Sequence, residues 1–177
     1  MKALVAYLSS TGNTKKIAEA ICDEIGCDKD IMKVDEVQDI GSYDISFLGF
    51  PVHGYGPDKK TREFLEKHCT DGRKIALFIT HAAPEEEPEL PETLAKFRQA
   101  AAGADLQGVF DCQGELAKGV KFFMKIAPNK KLRSQAKRDN SKGQPDATRV
   151  EKARAFARET MIRMNSSKPQ STIRNSG

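Results

Sequence analysis

The stretch that decides the fold runs from Ala3-Leu4-Val5-Ala6-Tyr7-Leu8 through Ser9-Ser10-Thr11-Gly12-Asn13-Thr14 to a segment carrying Ile17, Ile21 and Ile25. The first six residues have the length and composition of a strand buried on both faces, and the three isoleucines recur at helical spacing. The junction therefore reads as a strand-to-helix turn made of hydroxyls, one amide and a glycine. Such a turn offers a ring of hydrogen-bond donors, to which a helix N-terminus adds unpaired N–H groups and partial positive charge. Ser, Thr and Asn also cap helices, but capping alone needs far fewer of them. In open α/β sheets ligands bind outside the carboxyl ends of the strands, so a phosphate cradle is the functional reading. Neither a nucleoside-triphosphate Gly-x-x-x-x-Gly-Lys-Ser/Thr spacing nor a dinucleotide Gly-x-Gly-x-x-Gly occurs here. That points to a monophosphate held mostly by neutral groups.

Residues Ser9, Ser10, Thr11, Gly12, Asn13 and Thr14 fit, without a gap, the Ser/Thr-x-Thr-Gly-x-Thr pattern of the flavodoxin family, and at this point the chain resembles that family. The resemblance extends to Gly49-Phe50-Pro51-Val52-His53-Gly54-Tyr55-Gly56-Pro57, where the family places the loop over one face of the isoalloxazine. It extends also to Phe78-Ile79-Thr80-His81-Ala82-Ala83, where the second flavin-flanking loop leaves the sheet. The resemblance implies FMN as cofactor, with the cradle on its phosphate. It places Pro51, Val52, His53, Gly54, Tyr55 and Gly56 on one side of the ring, and Thr80, His81, Ala82 and Ala83 on the other. His53 or Tyr55 is the stacking candidate, since a flat π-face covers apolar flavin surface. The resemblance also implies a peptide near flavin N5, in the Gly54 and Gly56 region, that follows the ring's protonation. The third loop departs from the family pattern, because it offers only histidine as an aromatic and the chain has no tryptophan. His53 and His81 are candidates for proton transfer at the flavin edge. The acidic residues Glu85, Glu86, Glu87 and Glu89 follow directly, and near the ring they would lower its reduction potential.

Working outward, apolar runs recur at Ala3 to Leu8, Ile31 to Val34, Ile45 to Phe50, Ile75 to Ile79 and Val109 to Cys112. Amphipathic segments separate them, the alternation of a parallel sheet covered on both faces. Helices are expected to begin near Thr14, Asp58, Pro91 and Asp146, where cap-type residues or an N1-type proline precede apolar stripes. In the last helix Thr148 and Glu151 stand at capping-box spacing, with Val150, Ala153, Ala157 and Met161 on one side. Right-handed crossovers then build a doubly wound α/β three-layer sandwich, and the resemblance implies a five-stranded parallel sheet in the flavodoxin-like order 2-1-3-4-5.

At 177 residues the chain fits one domain, expected over residues 1–165. An insertion spans 113–145, between the last strand and the last helix. It far exceeds the about two to six residues usual for such a connection. Within it, Val120, Phe122, Phe123, Met124 and Ile126 predict a short helix whose apolar side packs on the domain, and Leu132 and Ala136 another turn. Residues 166–177 are polar and aperiodic, and are expected to be a disordered tail. No run approaches the roughly 18 apolar residues of a membrane span. The apolar run after Lys2 is too short for a secretory signal, so the protein reads as cytoplasmic. The cysteines Cys22, Cys27, Cys69 and Cys112 form no Cys-x-x-Cys pair, and the histidines are too scattered for zinc.

A net charge of +4 hides an asymmetry: residues 1–115 hold 13 basic and 21 acidic side chains, residues 116–177 hold 16 and 4. A basic segment this strong steers an acidic partner, anionic lipid or nucleic acid, or forms a solvated surface with a loose tail. It lacks the aromatic interleaving that would favour nucleic acid. Three functions remain open from sequence. The first is a soluble carrier moving electrons between redox partner proteins. The second is an FMN-dependent oxidoreductase using NAD(P)H, a quinone or a porphyrin-type substrate. The third is a flavin-free binding module.

Overall fold

The computed structural model describes residues 1–166. Its strands are β1 (Lys2–Tyr7), β2 (Asp28–Lys33), β3 (Ile45–Pro51), β4 (Lys74–His81) and β5 (Asp105–Gln113). The helices are α1 (Asn13–Glu24), α2 (Lys59–His68), α3 (Leu90–Ala100), α4 (Lys118–Ile126), α5 (Lys130–Arg138) and α6 (Ala147–Ser166), with a 3-10 turn at Val34–Glu36. All strands are parallel, in the order β2-β1-β3-β4-β5. This is the doubly wound sandwich expected from the alternation of apolar runs. The disorder expected after residue 165 falls outside the described residues, except Ser166, which ends α6.

The strand period of two divides the core in two. Val5, Tyr7, Phe47 and Phe78 face α1 and α6, where they meet Ile17, Ile21, Ala153 and Ala157. Leu4, Ala6, Leu48 and Leu77 face α2 and α3, where they meet Phe64, Leu65, Leu94 and Phe97. Small residues along α6 leave room for Phe156, which sits edge-on to Phe47 at 6.2 Å and stacked on Phe110 at 5.7 Å. Arg154 and Arg158 then pair with Asp23 and Glu24 of α1 across the outer surface.

Three local expectations are corrected. The cap of α6 is Asp146, whose Oδ1 accepts from the Arg149 amide at 3.0 Å. Thr148 lies inside the first turn, and Glu151 binds Arg158. Strands β2 and β5 start earlier than their apolar runs, at Asp28 and Asp105. Both are edge strands with partly solvated residues, so polar side chains occupy ladder positions. The largest correction concerns the insertion. Helix α4 forms where expected, but it buries none of its residues, and its main neighbour is α5.

The central strand supplies a test of the packing. Phe47 is fully buried between the sheet and α6. Phe47→Ala is expected to lower stability by about 3–5 kcal/mol, read as a drop in the urea midpoint with little change in slope.

Candidate functional site

The loops that follow β1, β3, β4 and β5 gather at the carboxyl edge of the sheet. The first begins where β1 ends, its Leu8 amide still paired to Gly49 O at 2.9 Å. Gly12 has φ of 92°, a left-handed conformation that permits the turn into α1 without a Cβ penalty. The Ser9 hydroxyl accepts from the Gly12 amide at 3.1 Å, and Gly12 O accepts the first helical bond, from Lys16.

The six residues of this loop divide into two groups. Thr14 is buried, and its hydroxyl bonds that of Thr80 at the end of β4, 2.8 Å away. The Asn13 amide donates to Glu115 O at 2.8 Å, at the start of the insertion. That contact needs a glycine beside it, because a Cβ on Gly114 would stand 2.7 Å from Asn13 Nδ2. Ser9, Asn13 and Thr14 thus hold the turn together. Ser10 and Thr11 remain exposed, and neither hydroxyl has a protein partner among the described residues. The amides of Ser10, Thr11, Asn13, Thr14 and Lys15 make no backbone hydrogen bond among the described residues. The nearby lysines are committed elsewhere, Lys15 to Glu19 at 3.6 Å and Lys16 to Pro145 O at 2.6 Å.

The second loop is a tight reversal closed by a bridge between His53 and Gly56, with the His53 amide 3.1 Å from Gly56 O and Gly54 at φ of 65°. Pro51 ends β3, and Val52 N bonds Thr80 O at 2.8 Å. Tyr55 projects at the tip, 52% exposed. Lys96 donates to Tyr55 O at 3.1 Å, and Lys131 Nζ stands 6.0 Å from the tyrosine ring centre. His53 lies 3.9 Å from Asp58, the N-cap of α2. Burial pushes the Asp58 carboxyl upward, but the hydrogen bond from the Thr61 amide and the neighbouring His53 and Lys60 outweigh it and hold the group below the usual carboxylate range.

The third loop turns inward. His81 is buried, with Nδ1 2.9 Å from Ala83 O and Nε2 3.1 Å from Asp111 Oδ2, so its ring is held by two acceptors within the protein. Ala82 O accepts from the Gln113 amide, which also donates to Asn140. Glu85 pairs with Arg149 at 2.8 Å and Glu89 with Lys131 at 2.8 Å, so two of the four acidic side chains have their charge offset. Cys112 is buried, and burial raises its thiol to about 12, which leaves it inert at neutral pH.

Sequence reasoning missed the residues that fasten the insertion to this edge. Asp139 receives Lys121 from α4 on one oxygen, and the Ser141 amide and hydroxyl on the other. Burial works to raise its carboxyl, and those bonds more than reverse it. The Ser141 hydroxyl accepts from Leu116 N at 2.9 Å, and Glu115 N bonds Gln144 O at 3.0 Å. The short spacing Asp139-Asn140-Ser141 between basic and glycine-bearing segments was the available signal. Its partners lie some twenty residues earlier and could not be paired from one dimension.

Two outcomes test this geometry. Thr80→Val leaves the buried Thr14 hydroxyl unpaired and is expected to cost about 1–3 kcal/mol in denaturant titration. A lowered folded-state pKa stabilises above the unfolded carboxylate value near pH ~3.9 and is lost as pH falls through the folded value. Protection against hydrogen exchange over residues 118–141, measured relative to an unstructured peptide at the same pH, is therefore expected to be full at neutral pH and to fall on acidification below that range, and Asp139→Asn is expected to lower it at pH 7.

A family model described as a flavodoxin domain matches residues 4–158. The chain is 38% identical over 174 residues to the flavodoxin-like domain-containing protein BilS of Clostridioides difficile strain CD3, covering 92% of this chain and 98% of that one. Among solved structures, the flavodoxin of Streptococcus pneumoniae TIGR4 superposes with a TM-score of 0.60 at 17% identity, over 92% of this chain and 99% of that one. A flavoprotein of Lactobacillus acidophilus NCFM, solved in complex with FMN, superposes with a TM-score of 0.53 at 22% identity, over 62% of this chain and 92% of that one. The solved structures share the fold, while the family match and the BilS identity go further: the chain is a member of the flavodoxin family.

Proposed function

We propose that this protein binds FMN at the carboxyl edge of its sheet and carries electrons between redox proteins. The observation that carries the reading is the set of uncommitted donors after β1. Among the described residues, the amides of Ser10, Thr11, Asn13, Thr14 and Lys15 and the hydroxyls of Ser10 and Thr11 have no protein partner at the positive end of α1. These groups suit a phosphate. The Lactobacillus acidophilus relative, whose complex contains FMN, supports the same cofactor. FMN, when bound, supplies the redox chemistry, and the protein sets its position and electrostatics.

In this reading Ser9, Asn13 and Thr14 hold the cradle's shape, while Ser10, Thr11 and the free amides contact the phosphate. Tyr55 covers apolar ring surface and excludes water, and the reversal through Gly54 brings main chain to the ring edge. On the opposite side Ala82 and Ala83 offer backbone, since the His81 ring is engaged with Asp111. His81 therefore positions the third loop. The four cysteines are free, as suits a cytoplasmic carrier.

Fluorescence quenching of FMN on titration with the protein is expected to reveal one site. Ser10→Ala with Thr11→Ala is expected to weaken it roughly tenfold or more, each lost bond to a charged group being worth about 1.5–3 kcal/mol. Absence of quenching by the wild-type chain would sink the flavin reading. Once loaded, the protein is expected to be reduced by NADH or NADPH only slowly without a partner, and rapid turnover would replace the carrier by an oxidoreductase.

A further inference from the structure

Residues 118–138 contain eight lysines and arginines and no acidic residue. Two of the eight are ion-paired, Lys121 to Asp139 and Lys131 to Glu89. Arg133 closes the end of α4 by donating to Ala127 O and Pro128 O. Lys118, Lys125, Lys130 and Lys137 are exposed and have no ion-pair partner among the described residues. Among these charges α4 presents Val120, Phe122, Phe123 and Ile126, which are 50%, 60%, 70% and 63% exposed. An apolar groove between α4 and α5 runs past Val120, Phe123, Met124, Ala127 and Leu132.

An apolar centre within a basic rim is thus displayed on a structured hairpin. The hairpin is not a loose appendage, because Asp139, Ser141 and Asn140 fasten its far end to Leu116, Gln113 and the third loop. Its α5 start reaches the second loop, where Lys131 lies over Tyr55. The patch therefore adjoins the edge at which electrons would leave the flavin.

We infer that the α4–α5 hairpin is the docking surface for an acidic redox protein, one whose cofactor edge is an apolar patch ringed by Asp and Glu. This rests on the FMN carrier reading. Opposite charges steer the encounter and raise the on-rate, while the small apolar centre excludes water without making the complex long-lived. A symmetric contact between two copies sets this cation-rich face against itself, which like charges oppose. An anionic membrane would engage the same charges. However, the apolar insertion is confined to one nine-residue helix, and α5 adds no large exposed apolar side chain.

The test uses the full chain and two soluble haem proteins of opposite charge, acidic cytochrome b5 and basic cytochrome c. Calorimetric titration needs no flavin in the protein. Cytochrome b5 is expected to bind, with affinity falling about tenfold or more between low and physiological salt, and cytochrome c to bind far more weakly. Lys118→Glu, Lys125→Glu and Lys130→Glu together are expected to abolish the preference. Phe123→Ser is expected to weaken binding while leaving the salt dependence in place. Circular dichroism checks that these surface variants fold. With FMN loaded, anaerobic stopped-flow oxidation of the reduced protein by cytochrome b5 is expected to show the same order of rates.

Equal binding of the two cytochromes, or no effect of either variant set, overturns the inference. So does tighter, Phe123-dependent binding to phosphatidylglycerol vesicles than to cytochrome b5, or a concentration-dependent dimer in sedimentation that Phe123→Ser removes. Cytochrome b5 binding by a chain that takes up no FMN would leave the surface standing and remove the carrier reading. FMN uptake without selective binding would do the reverse.

Discussion

One buried hydrogen bond, between the hydroxyls of Thr14 and Thr80, joins the first crossover helix to the carboxyl end of β4, at the edge where the first and third loops leave the sheet. A parallel sheet buried on both faces leaves its strand ends as the place where the chain can be irregular. Those ends also concentrate backbone groups that need partners. Thr14, Asn13 and Ser9 meet that need internally, with bonds to Thr80, Glu115 and Gly12. With these positions committed, the remaining donors of the turn can stay free at the surface. Engaged and unengaged polar groups are thus divided between adjacent residues of one short motif.

The same division recurs on the opposite side of the edge. His81 and Gln113 spend their polar groups on Asp111, Ala83, Ala82 and Asn140, which fixes how the third loop and the insertion lie against each other. The acidic run after His81 is partly neutralised by Arg149 and Lys131. Its influence on a group bound nearby is correspondingly smaller than four unscreened carboxylates would exert. The basic insertion and the acidic first part of the chain thus meet beside the site, and the charge asymmetry of the sequence becomes local pairing plus a remaining basic face.

Legibility in the sequence followed burial. The three interior strands are buried over nearly their whole length and each carries a continuous apolar run, so they stood out, whereas β2 and β5, at the edges, were shortened to their apolar halves. Helix starts were readable wherever a side chain caps locally, as Asp58 does for α2 through its bond to Thr61 N. At α6 two cap-type residues compete, and only the backbone shows that Asp146 wins. The loops at the carboxyl edge were legible as segments because each is a short contiguous pattern. The roles within them were not, since an identical threonine hydroxyl is structural at Thr14 and unengaged at Thr11.

The sequence alone determined the layer order, the parallel sheet and the edge at which polar loops collect, because periodicity, strand length and crossover handedness are local or nearly local properties. Only the tertiary structure decided that the apolar side of α4 stays in solvent, that Asp139 gathers Lys121 and Ser141, and that the His81 ring turns inward. Each of these depends on whether a partner surface exists at a distance in the chain. An amphipathic pattern states which face prefers burial, and the surrounding fold settles whether anything is there to bury it.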